Sequence, residues 1–458
     1  MAGKRKLILH ITPHFGGGVG RVLLGYLREV IKDKAFEHRL ISLEYANEKA
    51  LSTCRELNVE LKDEMFSNHH IILREIKEAD IVLVHWWNHP LLFHFLIRES
   101  LPPCRLVFWA HVSGLHPPYV LSKNWLSYPD FFVFTTPASL DLDIVKKTKE
   151  EKSKNFKVIR STGGIDKFLE LPSRKTQENF NVGYIGTVDI CKLHPRFIDI
   201  CARIKIKNVR FIVCGGPKEK ALQMKARCLG ISDKFIFTGH IDDVTPFLQQ
   251  FDVFGYPLAP YHYGTCEQAL AEAMAAAIPP VVMANPAELN IVEHMVTGIV
   301  ASSEDEYILA VSNLYEDDTL RTKLGINARE WVREKYSLAT MVNEWNKLFY
   351  ELLEMPKNEK IWQGKYRGKD VMPFQVFVEA LGHYGELFDN YFNEENTHRR
   401  RELETKIKEL YKSCPLWQVE TRGTPYHYHR FFPYDRNLAE LSQMLRTIQI
   451  DSDSTVFE

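Results

Sequence analysis

The sequence lacks any long apolar run and any closely spaced pair of cysteines. No stretch of its 458 residues approaches the about 18 to 20 consecutive apolar residues of a membrane-spanning helix. The short apolar run behind the basic N-terminus soon reaches His14 and a glycine cluster, so we expect no signal peptide there. The eight cysteines form no CxxC pair, which is typical of buried free thiols in a reducing compartment. We therefore expect a cytoplasmic protein.

An excess of charge of either sign is also missing. The chain has 58 Lys and Arg against 59 Asp and Glu, a net charge of -1 at pH 7. So small a net charge creates no overall field for nucleic acid or an anionic membrane. We expect no nucleic-acid partner and leave local peripheral membrane contact open. Apolar residues make up 45% and charged residues 26%, which is ordinary for a folded protein, and the length predicts at least two domains.

Apolar runs rich in β-branched and aromatic residues alternate with helix-like segments in both halves of the chain. This alternation predicts an α/β protein with two doubly wound, Rossmann-like domains that face a cleft. The predicted domains are residues 1–170 and 171–355, followed by a helical C-terminal extension, residues 356–458. An amphipathic helix, Leu338 to Leu353, is expected to close the second domain. The extension has apolar helix faces but too little core of its own, so we expect it to pack on the body of the protein and to shape an acceptor or partner surface.

A glycine-rich loop follows the first predicted strand. Gly16, Gly17 and Gly18 lie between that strand and a helical pattern, where backbone N–H groups are able to approach a phosphate at the positive helix end. The GxGxxG spacing is only approximate, and no acidic residue clearly ends a second strand, which disfavours a nucleotide oxidoreductase. A tight turn without a ligand is the alternative interpretation.

Three loops of the second half are predicted to meet at the carboxyl edge of one sheet, where such folds bind ligands. They carry Gly186, Thr187 and Lys192, then Gly215 and Gly216, then Gly264, Thr265 and Glu267. The helix after the third loop contains Glu272 among apolar residues, where an acid is costly to bury without a partner. We interpret Glu272 as an acceptor for a ligand hydroxyl, the alternative being a solvated helix face.

These motifs resemble those of the family-4 glycosyltransferases, GT-B-fold enzymes that transfer a sugar from a nucleotide diphosphate donor with retention of anomeric configuration. The resemblance covers roughly residues 5–354, and its most specific part runs from Glu267 to Val282 and on to Gly298. The glycine loop, His111 at a strand end, and the segments 163–166 and 236–240 match in the family's order.

The resemblance implies a role for each residue. Lys192 would bind the donor diphosphate, Glu272 would hold the ribose hydroxyls, and His111 would face the donor sugar. The remaining donor-binding residues would be Gly17, Gly18, Gly186, Thr187, Gly215, Gly216, Gly264 and Thr265. The implied catalytic residues are His111, Lys192 and Glu267. The resemblance further implies front-face substitution without metal or other cofactor, and a glycan or lipid-linked acceptor in glycan or polysaccharide biosynthesis.

Two positions depart from the family's pattern. Thr187 stands where an arginine is usual, five residues before Lys192, and Gly264 stands where a first glutamate is usual, eight residues before Glu272. Glu267 lies nearly one helical turn from position 264, so we expect it to contact the donor sugar instead. These departures leave a catalytically silent scaffold or regulatory subunit as the alternative, while an epimerase or phosphorylase of the same fold is less favoured.

Three further segments have two interpretations each. Trp86, Trp87 and Asn88 end a first-domain strand and form either an acceptor platform or core packing. The segment 141–143 imitates a metal-binding acid pair, but acids also favour the first turn of a helix, so we expect no metal site. The extension's His427, His429 and Arg430 either bind an anion or belong to a docking segment.

Overall fold

The chain forms two compact units, which we describe from a computed structural model covering residues 5–152, 156–172, 178–189 and 191–448. The first unit contains the described residues up to Gly163 and those from Met341 onward. The second contains the described residues from Gly164 to Thr340. The chain therefore leaves the first unit once and later returns to it.

Short apolar strands form the centre of each unit. The strands are β1 (Lys6–Thr12), β2 (Phe36–Ser42), β3 (Glu60–Lys62), β4 (Ile81–Trp86), β5 (Leu101–Cys104), β6 (Leu106–Ala110), β7 (Phe131–Phe134), β8 (Phe156–Val158), β9 (Phe180–Ile185), β10 (Val209–Cys214), β11 (Phe235–Gly239), β12 (Val253–Tyr256), β13 (Pro280–Met283), β14 (Ile299–Ala301) and β15 (Asn358–Lys360). The first unit's sheet has the order β3-β2-β1-β4-β6-β7-β8, and the second unit's has the order β11-β10-β9-β12-β13-β14.

Both sheets are parallel, and their central strands are buried without alternation. All pairings within the two sheets are parallel. Every residue of β4 and β9 is buried, as expected for strands covered on both faces. The predicted α/β class with two Rossmann-like sheets is therefore confirmed. In each sheet the strand order reverses beside the first strand, between β1 and β4 and between β9 and β12.

Helices connect these strands and make up most of the C-terminal part. They are α1 (Gly17–Asp33), α2 (Glu48–Glu56), α3 (His69–Glu78), α4 (Pro90–Arg98), α5 (Lys123–Ser127), α6 (Asp143–Lys152), α7 (Asp166–Leu169), α8 (Phe197–Arg203), α9 (Glu219–Cys228), α10 (Thr245–Leu248), α11 (Gln268–Ala275), α12 (Glu304–Glu316), α13 (Asp318–Lys335), α14 (Leu338–Leu353), α15 (Pro373–Ala380), α16 (Gly385–Asn393), α17 (Thr397–Ser413), α18 (Pro425–Phe431) and α19 (Arg436–Arg446). Within the described residues, no helix combines the length and apolar character needed to span a membrane.

Helix α14 belongs almost entirely to the first unit, and not to the second as had been predicted. The second domain was expected to run from 171 to 355, but the chain rejoins the first unit at Met341. The Trp345 ring packs edge-on against Trp109 of β6 at 5.0 Å, and Phe349 packs against Phe36 of β2 at 5.4 Å. The apolar face of α14 was predicted correctly, but spacing along a helix does not reveal which sheet that face covers.

The C-terminal extension belongs to the first unit and does not form a separate body of residues 356–458. Strand β15 pairs antiparallel with β5. The ring of Trp362 packs against Trp125 at 4.2 Å. His427 is 4% exposed and its ring lies 4.9 Å from that of His89. These contacts confirm the expectation that the extension packs on the body, and they favour a docking segment over an anion site at His427.

Candidate functional site

Loops of the second unit converge where its strand order reverses. Strands β9 and β12 are neighbours in the sheet, although the chain builds β10 and β11 between them. The connections leaving two such strands diverge to opposite sides, which opens a crevice at the carboxyl edge. The segment after β9 carries Lys192, and the segment after β12 leads through Gly264 and Glu267 into α11. The predicted residues therefore approach this crevice from both sides.

Glycines let the first two loops lie against each other. The backbone of Gly215 has φ 144, and a Cβ there would lie 1.9 Å from the carbonyl oxygen of Gly186. The N–H of Gly186 donates to the carbonyl of Cys214 at 3.0 Å. Thr187 and Gly216 continue the same two loops. A side chain at Gly215 would separate them, so the close approach requires glycine there.

Lys192 is held between the loops that follow β9 and β12. Its backbone N–H donates to the carbonyl of Asp189 at 3.0 Å, and its carbonyl accepts from the N–H of Ala259 at 2.8 Å. Its Nζ lies 2.7 Å from Oε2 of Glu267, and the two side chains are 15% and 1% exposed. The structure thus joins two residues that the sequence analysis had placed in separate loops.

The Glu267 carboxylate is ionised although it is buried. Burial would raise its pKa, but the ammonium of Lys192 outweighs that effect and holds the pKa of Glu267 below its ordinary value. The hydroxyl of Tyr256 also donates to Oε2, at 2.6 Å. Burial would likewise lower the pKa of Lys192, but Glu267 keeps it above its ordinary value. The pair is therefore a charged one, in which the Glu267 carboxylate accepts hydrogen bonds and the Lys192 ammonium donates them.

Glu267 reaches back toward Gly264. Its own backbone is left-handed, with φ 31, directly before α11 begins. A Cβ on residue 264 would lie 1.6 Å from Oε1 of Glu267. The carboxylate therefore fills the space in which a side chain at position 264 would begin. This placement agrees with the hypothesis that Glu267 replaces the acid missing at 264, and its contact with a sugar stays a prediction.

Sequence reasoning missed His262 and Glu288, which are buried next to Glu267. The N–H of Gly264 donates to Nδ1 of His262 at 3.0 Å, so Nε2 carries the ring proton and donates to Oε2 of Glu288, also at 3.0 Å. The available signal was position, because His262 follows β12 and Glu288 follows β13, whose carboxyl ends share one edge. Ligand-type atoms of His262, Glu267 and Glu288 lie within 4.8 Å of one another, and these residues are the candidates for holding a metal in the described chain.

Glu272 is buried in the middle of α11. Its side chain is among the least exposed acids of the unit, at 4%, and Leu270, Ala271 and Ala273 around it are fully buried. The interpretation as a solvated helix face is therefore wrong. Thr265, in the loop before this helix, is 9% exposed.

The other predicted residues lie in the first unit. Helix α1 begins at Gly17, and a Cβ on Gly17 or Gly18 would meet nothing within 4 Å. Both glycines lie in the first turn of a 17-residue helix, whose positive end favours an anion. His111 follows β6, and its Nε2 lies 3.1 Å from Nδ1 of His85. Burial holds the pKa of His111 well below its ordinary value, so the imidazole is neutral.

The acceptor platform predicted at residues 86–88 is wrong for Trp86. That ring is fully buried and packs against Trp125 and Phe132, because it points into the core from the end of β4. Trp87 is 7% exposed and Asn88 is 3% exposed. Their part in binding an acceptor stays a prediction.

All the candidate residues of the second unit fall within a single family match. Residues 179–317 match the family model for glycosyl transferases group 1. We call this matched segment, residues 179–317, the group 1 domain. The group 1 domain contains Lys192, Glu267 and Glu272 together with the three loops that converge at the sheet edge.

One curated relative is N-acetyl-alpha-D-glucosaminyl L-malate synthase of Bacillus anthracis. It is 26% identical over 152 residues, which are 33% of this chain and 39% of the relative. The alignment thus spans less than half the length of that protein.

Several solved structures resemble the chain over a longer stretch. A glycosyltransferase from Rickettsia africae has a TM-score of 0.61 at 13% identity, covering 77% of this chain and 99% of that one. HepE of Anabaena, in complex with UDP, has a TM-score of 0.58 at 15% identity, covering 75% and 99%. Sucrose-phosphate synthase of Thermosynechococcus elongatus has a TM-score of 0.57 at 14% identity, covering 76% and 99%. These likenesses show that the group 1 domain is part of a GT-B fold.

Proposed function

We propose that the protein transfers a sugar from a nucleotide diphosphate donor to an acceptor hydroxyl, with retention and without a metal ion. The observation that carries the proposal is the buried Lys192–Glu267 ion pair at the point where the strand order of the group 1 domain reverses. Such a crevice is the usual ligand site of a doubly wound sheet. An ammonium supports a departing diphosphate, and an ionised carboxylate accepts hydrogen bonds from sugar hydroxyls.

Each residue has a separate task in this proposal. Lys192 has three N–H donors, so it is able to bind a diphosphate oxygen while one donor stays with Glu267. Glu267 accepts from the hydroxyls of the donor sugar, and Glu272 accepts from the ribose hydroxyls. Backbone N–H groups of the loops at Gly186 and Gly215 contribute fixed dipoles toward the phosphates. Thr187 adds no charge in place of the usual arginine, so diphosphate binding depends heavily on Lys192.

The transfer breaks the bond between the anomeric carbon and the donor phosphate oxygen and forms a bond to the acceptor oxygen on the same face. The departing phosphate oxygen takes the acceptor's proton, so no protein nucleophile is needed. Gly17 and Gly18 would support the leaving phosphates through their N–H groups, and neutral His111 would donate to or accept from the donor sugar. The class of acceptor is a glycan or lipid-linked saccharide in polysaccharide biosynthesis.

A donor panel tests the proposal directly. UDP-glucose and UDP-N-acetylglucosamine are the first donors to try, because HepE is solved with UDP-glucose and the Bacillus relative is named for an N-acetylglucosaminyl product. A donor that binds only the folded protein must raise its melting temperature. Turnover in the presence of EDTA supports metal independence. Turnover restored only by a divalent cation contradicts it and makes His262, Glu267 and Glu288 the first candidate ligands to mutate.

A silent scaffold is the second candidate, favoured by one observation. Lys192 already has a buried counter-ion in Glu267 and no second cation at Thr187. A scaffold predicts that no nucleotide sugar shifts the melting temperature. Glu267→Ala separates the two candidates further, since an active enzyme should lose sugar transfer to a greater extent than binding of free nucleoside diphosphate. Equal losses in both measurements contradict a sugar-specific role for Glu267.

A further inference from the structure

Four histidines of the first unit form a continuous hydrogen-bonded chain, three of them in the neighbouring strands β2, β1 and β4 and the fourth directly after β6. We call His38, His10, His85 and His111 the histidine chain. Nδ1 of His38 lies 2.9 Å from Nε2 of His10, and Nδ1 of His10 lies 3.2 Å from Nε2 of His85. Nδ1 of His85 lies 3.1 Å from Nε2 of His111. Each link uses the same pair of ring atoms in the same direction.

The sheet register explains why these rings meet. In the ladder His38 is opposite Ile8, His10 is opposite Leu83, and His85 is opposite Trp109. In each case the next histidine lies two residues after the residue that is opposite the previous histidine: His10 after Ile8, His85 after Leu83, and His111 after Trp109. A step of two keeps the side chain on the same face. The histidine chain therefore runs diagonally across one face of the sheet and ends at His111, at the carboxyl edge.

The histidine chain is shielded from water by aromatic rings. Tyr26 of α1 packs against His10 and His38, with ring centroids 5.7 Å apart in both cases. Trp109 packs against His85 at 5.6 Å and is itself covered by Trp345 of α14. His10 and His85 are fully buried, and His38 is 8% exposed. The two inner rings therefore have each other and the two end rings as hydrogen-bond partners.

The rings are neutral at physiological pH. Burial lowers the pKa of His85 to about 3 and that of His38 to about 4, the latter raised slightly by Asp33 and lowered by Arg5. A neutral imidazole has one N–H donor and one acceptor nitrogen. Three such bonds in series allow only two arrangements. Either all four rings carry the proton on Nδ1, or all four carry it on Nε2.

We propose that His38, His10 and His85 are positioning residues that set the tautomer of His111. In the first arrangement Nδ1 of His111 donates at the carboxyl edge, and in the second it accepts. Conversion is balanced: Nδ1 of His111 gives its proton to a water or hydroxyl oxygen, and the three Nδ1 protons behind it each move to the Nε2 ahead. Water then supplies one proton to Nε2 of His38. All four rings are neutral before and after the conversion. A single protonated imidazole would instead leave a net charge in the buried region, which is costly.

Nitrogen NMR of the full-length protein with ring-labelled histidine tests the proposal without using activity. Protonated and unprotonated ring nitrogens have well-separated 15N shifts, so the tautomer of each ring is read directly. We expect the four rings to share one protonated nitrogen, and a common tautomer that is constant between pH 6 and 8. A pattern in which His85 and His111 carry their protons on different nitrogens overturns the proposal, and this measurement needs no variant.

His10→Phe interrupts the chain in its middle. We expect the ratio of the two tautomers of His111 to change by about threefold or more, the scale of one neutral hydrogen bond. His94→Asn is the matched control, because His94 is a buried histidine of the same unit outside the histidine chain, and it should leave that ratio unchanged. An unchanged His111 in His10→Phe contradicts the coupling. The inference rests on the first unit alone, so failure to find a sugar donor does not affect it.

Discussion

Gly264 and Glu267 share one volume, because Oε1 of Glu267 lies 1.6 Å from the place of a Cβ on residue 264. The glycine and the acid therefore depend on each other. Restoring a side chain at 264 without removing Glu267 would place two groups in the same space. This shared space agrees with the hypothesis that Glu267 replaces the acid missing at position 264.

Gly264→Ala should expel the Glu267 carboxylate and break its ion pair with Lys192. Breaking a buried pair is costly because one charge stays buried without compensation, and we expect a loss of about 3 kcal/mol in unfolding free energy. Gly18→Ala is the control, since its Cβ meets nothing within 4 Å and should change stability little. Urea unfolding measures both. Equal stability of the two variants would show that Glu267 moves aside freely.

Lys192→Ala should weaken binding of nucleoside diphosphate by about 1.5 to 3 kcal/mol, the scale of a charge-assisted hydrogen bond. Lys225→Ala removes a lysine that pairs with Asp199 at 3.5 Å on the surface of the same unit, so affinity should be unchanged. Calorimetry gives both affinities. If the Lys192 variant binds as tightly as the Lys225 variant, Lys192 lies outside the diphosphate site.

Glu272→Gln should impair donor binding while the fold stays normal, because the amide keeps the shape of the buried side chain but accepts hydrogen bonds less strongly. Donor titration and thermal melting are measured on the same sample. A variant that binds donor normally and only melts earlier would make Glu272 a structural acid.

The first unit should lose stability in mild acid because its buried histidines resist protonation. Burial, followed by Arg98 and His69, lowers the pKa of His94 to about 3. The unfolded chain takes up that proton first, near pH 6.5, so the free energy of unfolding falls as the pH drops toward the folded pKa. His94 should account for about 2 kcal/mol of the loss between pH 7 and pH 5. His94→Asn should therefore show a flatter pH dependence in urea unfolding, and an unchanged slope would contradict this origin.

Truncation after Glu354 should reduce solubility, because it removes Trp362 from its packing with Trp125 and uncovers apolar surface of the first unit. A chain ending at Ile448 keeps α15 to α19 and is the control. Gel filtration compares the soluble, monodisperse fraction of the two proteins. A truncated protein that stays monodisperse would show that the extension is dispensable for the unit's fold.

The sequence predicts local elements well and pairings between distant segments poorly. The βα alternation and the apolar face of α14 were predictable because each depends on neighbouring residues. The sheet that Trp345 covers was not predictable, because Trp109 is distant from Trp345 in the sequence. Lys192 and Glu267 were each singled out by their loops, but their ion pair depends on the neighbouring places of β9 and β12 in the sheet. The histidine chain was missed for the same reason, because one histidine per strand shows no periodicity until the register is known.

The return of the chain to the first unit at Met341 has a consequence for synthesis on the ribosome. The second unit is continuous and is fully translated before Trp345 emerges to cover Trp109. At about 5 to 20 residues per second, roughly 10 to 35 s pass between synthesis of the N-terminal part of the first unit and synthesis of α14. During that interval Trp109 is not covered by Trp345, so an apolar face of the sheet is exposed to aggregation.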